Sequence, residues 1–208
     1  MSVRISGFAS GRRALLRGLG AALIAATVAA CTTTPPAPVY PDIRFTNVDP
    51  LPIRALRVDI TSDYKPPFAP PNVEHLMPVS PERMARQWAL DRLQPLRSGS
   101  AIARYTILDA HVTETKLATK DGIKGAFTDE PAEKYEAVLR VRFSLDDPSR
   151  AYHGEVETAV RHSLTVQEGA SLNDREKAWY ELTQKLALDF DAAMTSNLRA
   201  YLPDALAN

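Results

Sequence analysis

The chain has 208 residues, 45% of them hydrophobic, and carries 25 basic and 25 acidic side chains. This length suits one globular domain, and the balanced charge gives no general affinity for nucleic acid. The single cysteine excludes an internal disulfide bond.

Residues 1–30 have the organisation of a secretory signal peptide. Four arginines and no acidic residue occupy the first 17 positions, and residues 18–30 are uncharged. This run is shorter than the roughly 20 residues that a membrane-spanning helix needs, so we expect cleavage. The pair Arg12-Arg13 leaves two export routes open, the general secretory route and the twin-arginine route.

Val28, Ala29 and Ala30 directly precede Cys31. This segment resembles the lipobox of bacterial lipoproteins. The resemblance implies cleavage between Ala30 and Cys31 and lipidation of the Cys31 sulfur, which anchors the mature chain in a membrane. The alternative is an ordinary secretory signal that ends beside an unmodified thiol.

Residues 31–42 are a predicted tether, because four prolines favour extended polyproline II geometry. The residue after the cysteine is Thr32 and not Asp, and in this the chain resembles lipoproteins sorted to the outer membrane. We therefore expect a protein that faces the periplasm from that membrane. Loss of residues 1–30 leaves 21 basic and 25 acidic side chains, which argues against nucleic acid as a partner.

The predicted domain covers residues 43–208. Alternating apolar residues predict a first strand over residues 54–61. Five prolines in residues 64–78 then predict an irregular crossover with three exposed apolar side chains, Phe68, Leu76 and Met77.

A helix is predicted to follow, because Ser80 is a capping residue and Pro81 suits the first helical position. Its apolar stripe includes Trp88 as a core residue and runs to Leu96. Residues 103–117 predict a long strand with a bulge near Ile107, where the apolar alternation changes phase.

Residues 118–133 are a predicted loop that exposes Ile123 and Phe127. Alternation over residues 135–145, turn residues at 146–150 and alternation over residues 152–166 predict a hairpin with one buried face. A long helix capped at Asn173 and closed by Pro203 completes the domain, with Tyr201 on its buried side. Asn197 lies in this apolar stripe, either exposed at a frayed end or hydrogen-bonded in the core.

The predicted order is β-α-β-β-β-α. We therefore expect an α+β fold, a two-layer sandwich in which two helices cover an antiparallel sheet of about four strands.

The lipobox, the tether and a small domain ending in a long helix resemble two groups of envelope lipoproteins. One is the lipopolysaccharide-assembly lipoproteins, and the other is the auxiliary lipoproteins of ABC-type transport systems. The resemblance covers residues 31–203 by architecture, with the lipobox and Arg86-Gln87-Trp88 as its sequences. It implies a binding or assembly role in an envelope complex and carries over no functional residues.

Motifs for catalysis are sparse. The GxSxG, GxGxxG, Walker and HExxH sequences are absent, and His75, His111, His153 and His162 are not spaced as metal ligands. We therefore expect no enzyme activity, no cofactor and no metal.

Five apolar loop residues are candidates for contact with a partner protein: Phe68, Leu76, Met77, Ile123 and Phe127. The alternative is that they cover the core or a sheet edge. The leading hypothesis is a non-catalytic, membrane-anchored binding or assembly module of an envelope protein complex. A periplasmic carrier of lipid or a small ligand, with a pocket between helices and sheet, is the alternative, and the oligomeric state is open.

Overall fold

The computed structural model describes residues 38–117 and 131–207. Its strands and helices in chain order are β1 Leu51–Ile53, β2 Arg57–Ser62, α1 Pro81–Arg92, β3 Leu93–Pro95, β4 Ile102–Asp109, β5 Val112–Lys116, β6 Pro131–Asp147, β7 Tyr152–Gln167 and α2 Leu172–Tyr201. Single turns of 3-10 helix occur at Glu74–Leu76, Pro148–Arg150 and Pro203–Ala205.

The main sheet is built on β6, a strand of 17 residues. One side of β6 pairs antiparallel with β4 and then β5, and its other side pairs antiparallel with β7 along nearly its whole length. β2 adds to the outer side of β4. The sheet therefore has five strands in four positions, because β4 and β5 follow one another along the same side of β6. The predicted α+β class is confirmed.

One pairing departs from the predicted antiparallel sheet, because β2 and β4 run parallel. The crossover and α1 lie between these two strands in the chain, and a crossover connection returns the chain in its original direction. A second, two-stranded parallel sheet joins β1 to β3. The sequence pattern predicted neither strand, since each has only three residues.

The bounds of α1 and of the long predicted strand also differ from expectation. Ser80 caps α1 as predicted, but the helix ends at Arg92 because the chain turns extended at Leu93 to pair with β1. Leu96 is consequently 48% exposed. The long strand is interrupted at Ala110 and His111, which divides it into β4 and β5, and the predicted bulge is present between Ile107 and Asp109.

The N-cap of α2 is Ser171, two residues before the predicted cap at Asn173. Ser171 and Asp174 form a capping box, in which the Asp174 amide donates to the Ser171 hydroxyl at 3.2 Å. Tyr201 is 71% exposed, contrary to prediction, because Leu198 is the last helical residue of the buried stripe. Asn197 is hydrogen-bonded, since its amide donates to the Thr158 hydroxyl of β7 at 2.9 Å.

The core lies between the helices and one face of the sheet. Alternate β6 side chains from Tyr135 to Leu145 are fully buried, as is Trp88 of α1, which confirms the prediction for this tryptophan. Trp88 stacks on Tyr105 of β4 and meets Phe190 of α2 edge-on, with ring centroids 5.7 and 5.1 Å away. The opposite face of the sheet carries cross-strand ion pairs such as Arg142 with Glu157 (3.3 Å).

Candidate binding surfaces

The predicted site residues have different outcomes. Ala30, Cys31, Ile123 and Phe127 lie outside the described residues. Phe68 and Leu76 are 68% and 57% exposed, whereas Met77 is buried, so the prediction that its side chain is exposed was wrong. The 3-10 turn Glu74–Leu76 explains this difference, because it directs Leu76 to solvent and returns Met77 to the core.

The crossover is held against the outer edge of β5. The Val73 amide donates to the Val112 carbonyl at 2.9 Å, and the Glu114 amide donates to the Pro71 carbonyl at 2.8 Å. The buried Glu74 carboxylate accepts from the Tyr64 hydroxyl (2.7 Å) and from the Val112 amide (3.1 Å). Burial, reinforced by this bond to Glu74, raises the pKa of Tyr64 above its ordinary value. The backbone of β5 thus has partners on its outer side at Val112 and Glu114, opposite the side that pairs with β6.

Phe68 projects from this anchored crossover in a left-handed backbone conformation, with φ of 54°. A bulky residue in that region is strained and persists only where surrounding contacts hold the chain. Its ring lies 5.5 Å from the ring of His75, which is also exposed. Phe68, His75 and Leu76 form what we call the crossover surface, a small apolar surface on a fixed backbone.

The segment before β1 packs on the two helices. The Tyr40 ring lies 5.1 Å from that of Tyr180 on α2, and Asp42 pairs with Arg83 of α1 at 2.8 Å. Packing therefore begins three residues before the predicted domain start at residue 43.

Asp91 of α1 fastens this segment further along. Arg44 binds its carboxylate through two hydrogen bonds, at 2.9 and 2.8 Å, and the Phe45 amide adds a third at 3.0 Å. Burial alone would raise the pKa of Asp91, but these bonds and one from Gln87 lower it below the ordinary value. The carboxylate therefore stays ionised and keeps the segment against α1.

Two adjoining cavities lie between this segment and the outer side of α2. Their volumes are about 420 and 620 Å³, and they share Val48 and Asp191. We call them together the helix groove. Apolar side chains of Ile43, Phe45, Ala187 and Leu188 line the smaller cavity together with charged ones such as Glu181 and Lys185. The larger cavity is lined mainly by polar residues, Arg92, Asp191, Thr195, Ser196 and Arg199. The groove lies on the outside of the helix layer, whereas the carrier hypothesis placed a pocket between helices and sheet, a space that core side chains fill.

A buried ion pair lies at the floor of the groove. The Arg92 side chain is 3% exposed, and its Nε donates to Asp191 of α2 at 2.8 Å. The Trp88 indole donates to the same carboxylate oxygen at 2.7 Å, and Arg92 Nη2 donates to Thr195 at 3.1 Å. These bonds fix α1 to α2.

Sequence reasoning missed the groove residues, although one signal was available. Arg92 lies four residues after Trp88, on the apolar stripe of α1, where a charge requires a buried partner. Nothing in the sequence points to Asp191 as that partner, 99 residues away.

The described residues offer little catalytic geometry. They hold no group of three or more His, Cys, Asp or Glu side chains suited to a metal ion. An SxxK spacing occurs at Ser62 and Lys65, but Ser62 ends β2 and its hydroxyl donates to the Tyr64 carbonyl at 3.5 Å. In residues 38–117 and 131–207, no helix has the length and apolarity to cross a bilayer.

No protein-family model matches the chain, and neither does any curated protein. Three solved structures are similar to it: rare lipoprotein B from Shewanella oneidensis (13% identity, TM-score 0.33), a minor lipoprotein from Acinetobacter baumannii (12%, 0.34) and a protein of family DUF330 from Xanthomonas campestris (7%, 0.31). The matches cover 67%, 68% and 76% of this chain and 94%, 93% and 96% of the others. Similarity with TM-scores this low identifies neither a family nor a function.

Replacing Asp191 with Ala should lower the free energy of unfolding by about 3–5 kcal/mol, because it leaves the buried Arg92 guanidinium without its carboxylate and the Trp88 indole without its acceptor. Asp189→Ala on the same helix is the control. Its side chain is 53% exposed and, among the described residues, pairs with His162 alone at 3.4 Å, so we expect a loss of less than about 1 kcal/mol. Urea denaturation measures both, and equal losses would contradict a structural role for the buried pair.

Proposed function

We propose that this protein is a lipid-anchored lipoprotein of the bacterial cell envelope whose periplasm-facing domain is a non-catalytic binding or assembly module. The observation that carries the proposal is the segment Val28-Ala29-Ala30-Cys31, in which the only cysteine of the chain directly follows an uncharged run and small residues. Acyl chains on Cys31 supply the apolar surface that stable attachment needs. Thr32 in the next position favours the outer membrane.

The contacts of the N-terminal segment define how such an anchor holds the domain. Tyr40 is already packed on α2, so only eight residues separate it from Cys31. The nine Cα–Cα steps from Cys31 to Tyr40 span at most about 30 Å when extended. Lipid on Cys31 would therefore keep the Tyr40 side of the helix layer within about 30 Å of the membrane surface.

Cys31→Ala should move the full chain from the membrane fraction into the soluble periplasmic fraction, because the variant has no sulfur for lipid attachment. Fractionation of cells followed by immunoblotting measures this, with Thr34→Ala as a control that keeps the anchor. A Cys31→Ala chain that remains in the membrane fraction would refute the lipobox assignment.

The crossover surface supports the assembly role. Phe68 and Leu76 are exposed apolar side chains on a backbone that Glu74 and the β5 edge hold in place. Rigid apolar side chains lose little conformational entropy on contact, which suits them to a protein partner. We propose that this surface contacts a protein of the envelope complex.

The helix groove favours a second candidate function, the carriage of a lipid or small ligand. Its apolar end is lined by Leu188, which is 71% exposed, and by Phe45. The groove also lies beside the segment that leads to the anchor. The acyl chain of a lipid would fit the smaller cavity, and the polar head group of that lipid would then lie near Arg92 and Arg199.

Two measurements on the lipidated chain separate the two functions. Crosslinking in intact cells detects a protein partner, and native mass spectrometry after mild detergent extraction detects a bound ligand. The assembly role predicts that Phe68→Ser with Leu76→Ser removes the crosslinked protein while Leu188→Arg retains it; the carrier role predicts that Leu188→Arg alone removes a bound mass.

Leu90→Ser, at an exposed leucine of α1 outside both surfaces, is the matched control and should change neither readout. A crosslinked partner that persists in the Phe68 and Leu76 variant would refute the crossover surface as its contact site.

A further inference from the structure

Strand β7 forms one edge of the main sheet. It has 16 residues and contains no proline. Among residues 38–117 and 131–207, β6 is the only strand that pairs with it. An uncovered edge of this length exposes a row of unpaired N–H and C=O groups to any strand that can align with it.

Hydrogen bonds elsewhere in the sheet identify which residues of β7 carry those free groups. The Val138 amide of β6 donates to the His111 carbonyl, away from β7, so the alternating backbone directs the groups of Leu139 toward β7. Leu139 is opposite Val160. The even-numbered residues of β7 therefore bond to β6, and odd-numbered residues direct their N–H and C=O groups outward.

The side chains of those odd-numbered residues all lie on the solvent face of the sheet. They are His153, Glu155, Glu157, Ala159, Arg161, Ser163 and Thr165, and every one is exposed. No bulky apolar side chain on this face blocks the approach of another strand, and Ala159 at the centre is small. Within the part of the chain that the structure describes, the edge is thus open both in its backbone and in its side chains.

We propose that β7 pairs antiparallel with β7 of a second copy of this chain, about a two-fold axis at Ala159. In this register Glu157 lies opposite Arg161 of the second copy, and Arg161 lies opposite Glu157 of the second copy. An axis at Glu157 or at Arg161 would instead oppose two like charges, which destabilises a cross-strand pair. The charge pattern of β7 is therefore complementary to itself in the proposed register.

The surrounding charges are compatible with this pairing. Within one copy Glu157 pairs with Arg140 and Arg142, at 3.5 and 3.3 Å, and Arg161 pairs with Glu136 at 3.4 Å. All these groups are partly exposed, so a charge from the second copy extends an existing network without burying an unpaired ion. The two-fold axis is normal to the sheet, which places both helix layers on one side; if the chains are anchored as proposed, both tethers therefore leave toward the same membrane.

Cysteine crosslinking tests the register directly. In the full chain with Cys31→Ala, Ala159→Cys introduces the sole thiol at the proposed axis, where two Cα atoms are about 5.5 Å apart, within reach of a disulfide. We expect mild oxidation to produce a disulfide-linked dimer. Ser163→Cys on the same edge is the control, because the two thiols lie eight residues apart across the axis, about 27 Å, and stay unlinked. Absence of the Ala159→Cys dimer, or equal crosslinking at both positions, would overturn the proposal.

A charge exchange tests it without a disulfide. Arg161→Glu should weaken dimerisation of the full Cys31→Ala chain about tenfold, as measured by sedimentation equilibrium, since it places Glu opposite Glu twice. Glu157→Arg combined with Arg161→Glu restores opposite charges across the axis and should recover most of the affinity. Circular dichroism checks that each variant is folded. A chain without these substitutions that is monomeric at every concentration, or an Arg161→Glu variant that dimerises equally well, would refute pairing through β7.

Discussion

The pairing of β6 with three other strands is the constraint on which the rest of the domain depends. β4 and β5 take one side of β6 in succession, and β7 takes the other. Strict alternation along β6 then buries one row of side chains, from Tyr135 to Leu145, and directs Arg140 and Arg142 to solvent. The two helices cover this apolar row and shield it from water. The charged face and the open edge of β7 follow from the same arrangement.

The two helices are joined by their own polar contacts, which also position the candidate surfaces. Arg92 and Asp191 join α1 to α2 across a buried ion pair, and Asp91 on the other side of α1 holds Arg44 and Phe45. The N-terminal segment is thereby packed along α2, and the groove is the space left between them. The crossover surface is held separately, because the Glu74 carboxylate accepts a hydrogen bond from the Val112 amide of β5. The described domain therefore presents two distinct surfaces on rigid supports.

Local patterns in the sequence predicted much of this fold. They did not predict the very short strands or the pairing between distant segments. The alternation around Phe143 and Val156 and the Ser80-Pro81 cap predicted β6, β7 and the start of α1, because each feature is local. The parallel β2–β4 pair and the strands Leu51–Ile53 and Leu93–Pro95 depend on contacts between distant segments, which no local pattern encodes. The same applies to the surfaces: Phe68 and Leu76 were predictable as exposed loop residues, but the burial of Met77 depends on one 3-10 turn.

Hydrogen exchange along β7 tests the central structural claim, that β6 holds one side of this strand and the other side is open. In dilute full chain with Cys31→Ala, where association is minimal, the amides of Val160 and His162 should exchange slowly because they bond to β6. The amides of Ala159 and Arg161 should exchange rapidly, since they point away from the sheet. Residue-resolved exchange by NMR would show this alternation. Equal protection of all four amides in dilute solution would contradict the open edge and the account built on β6.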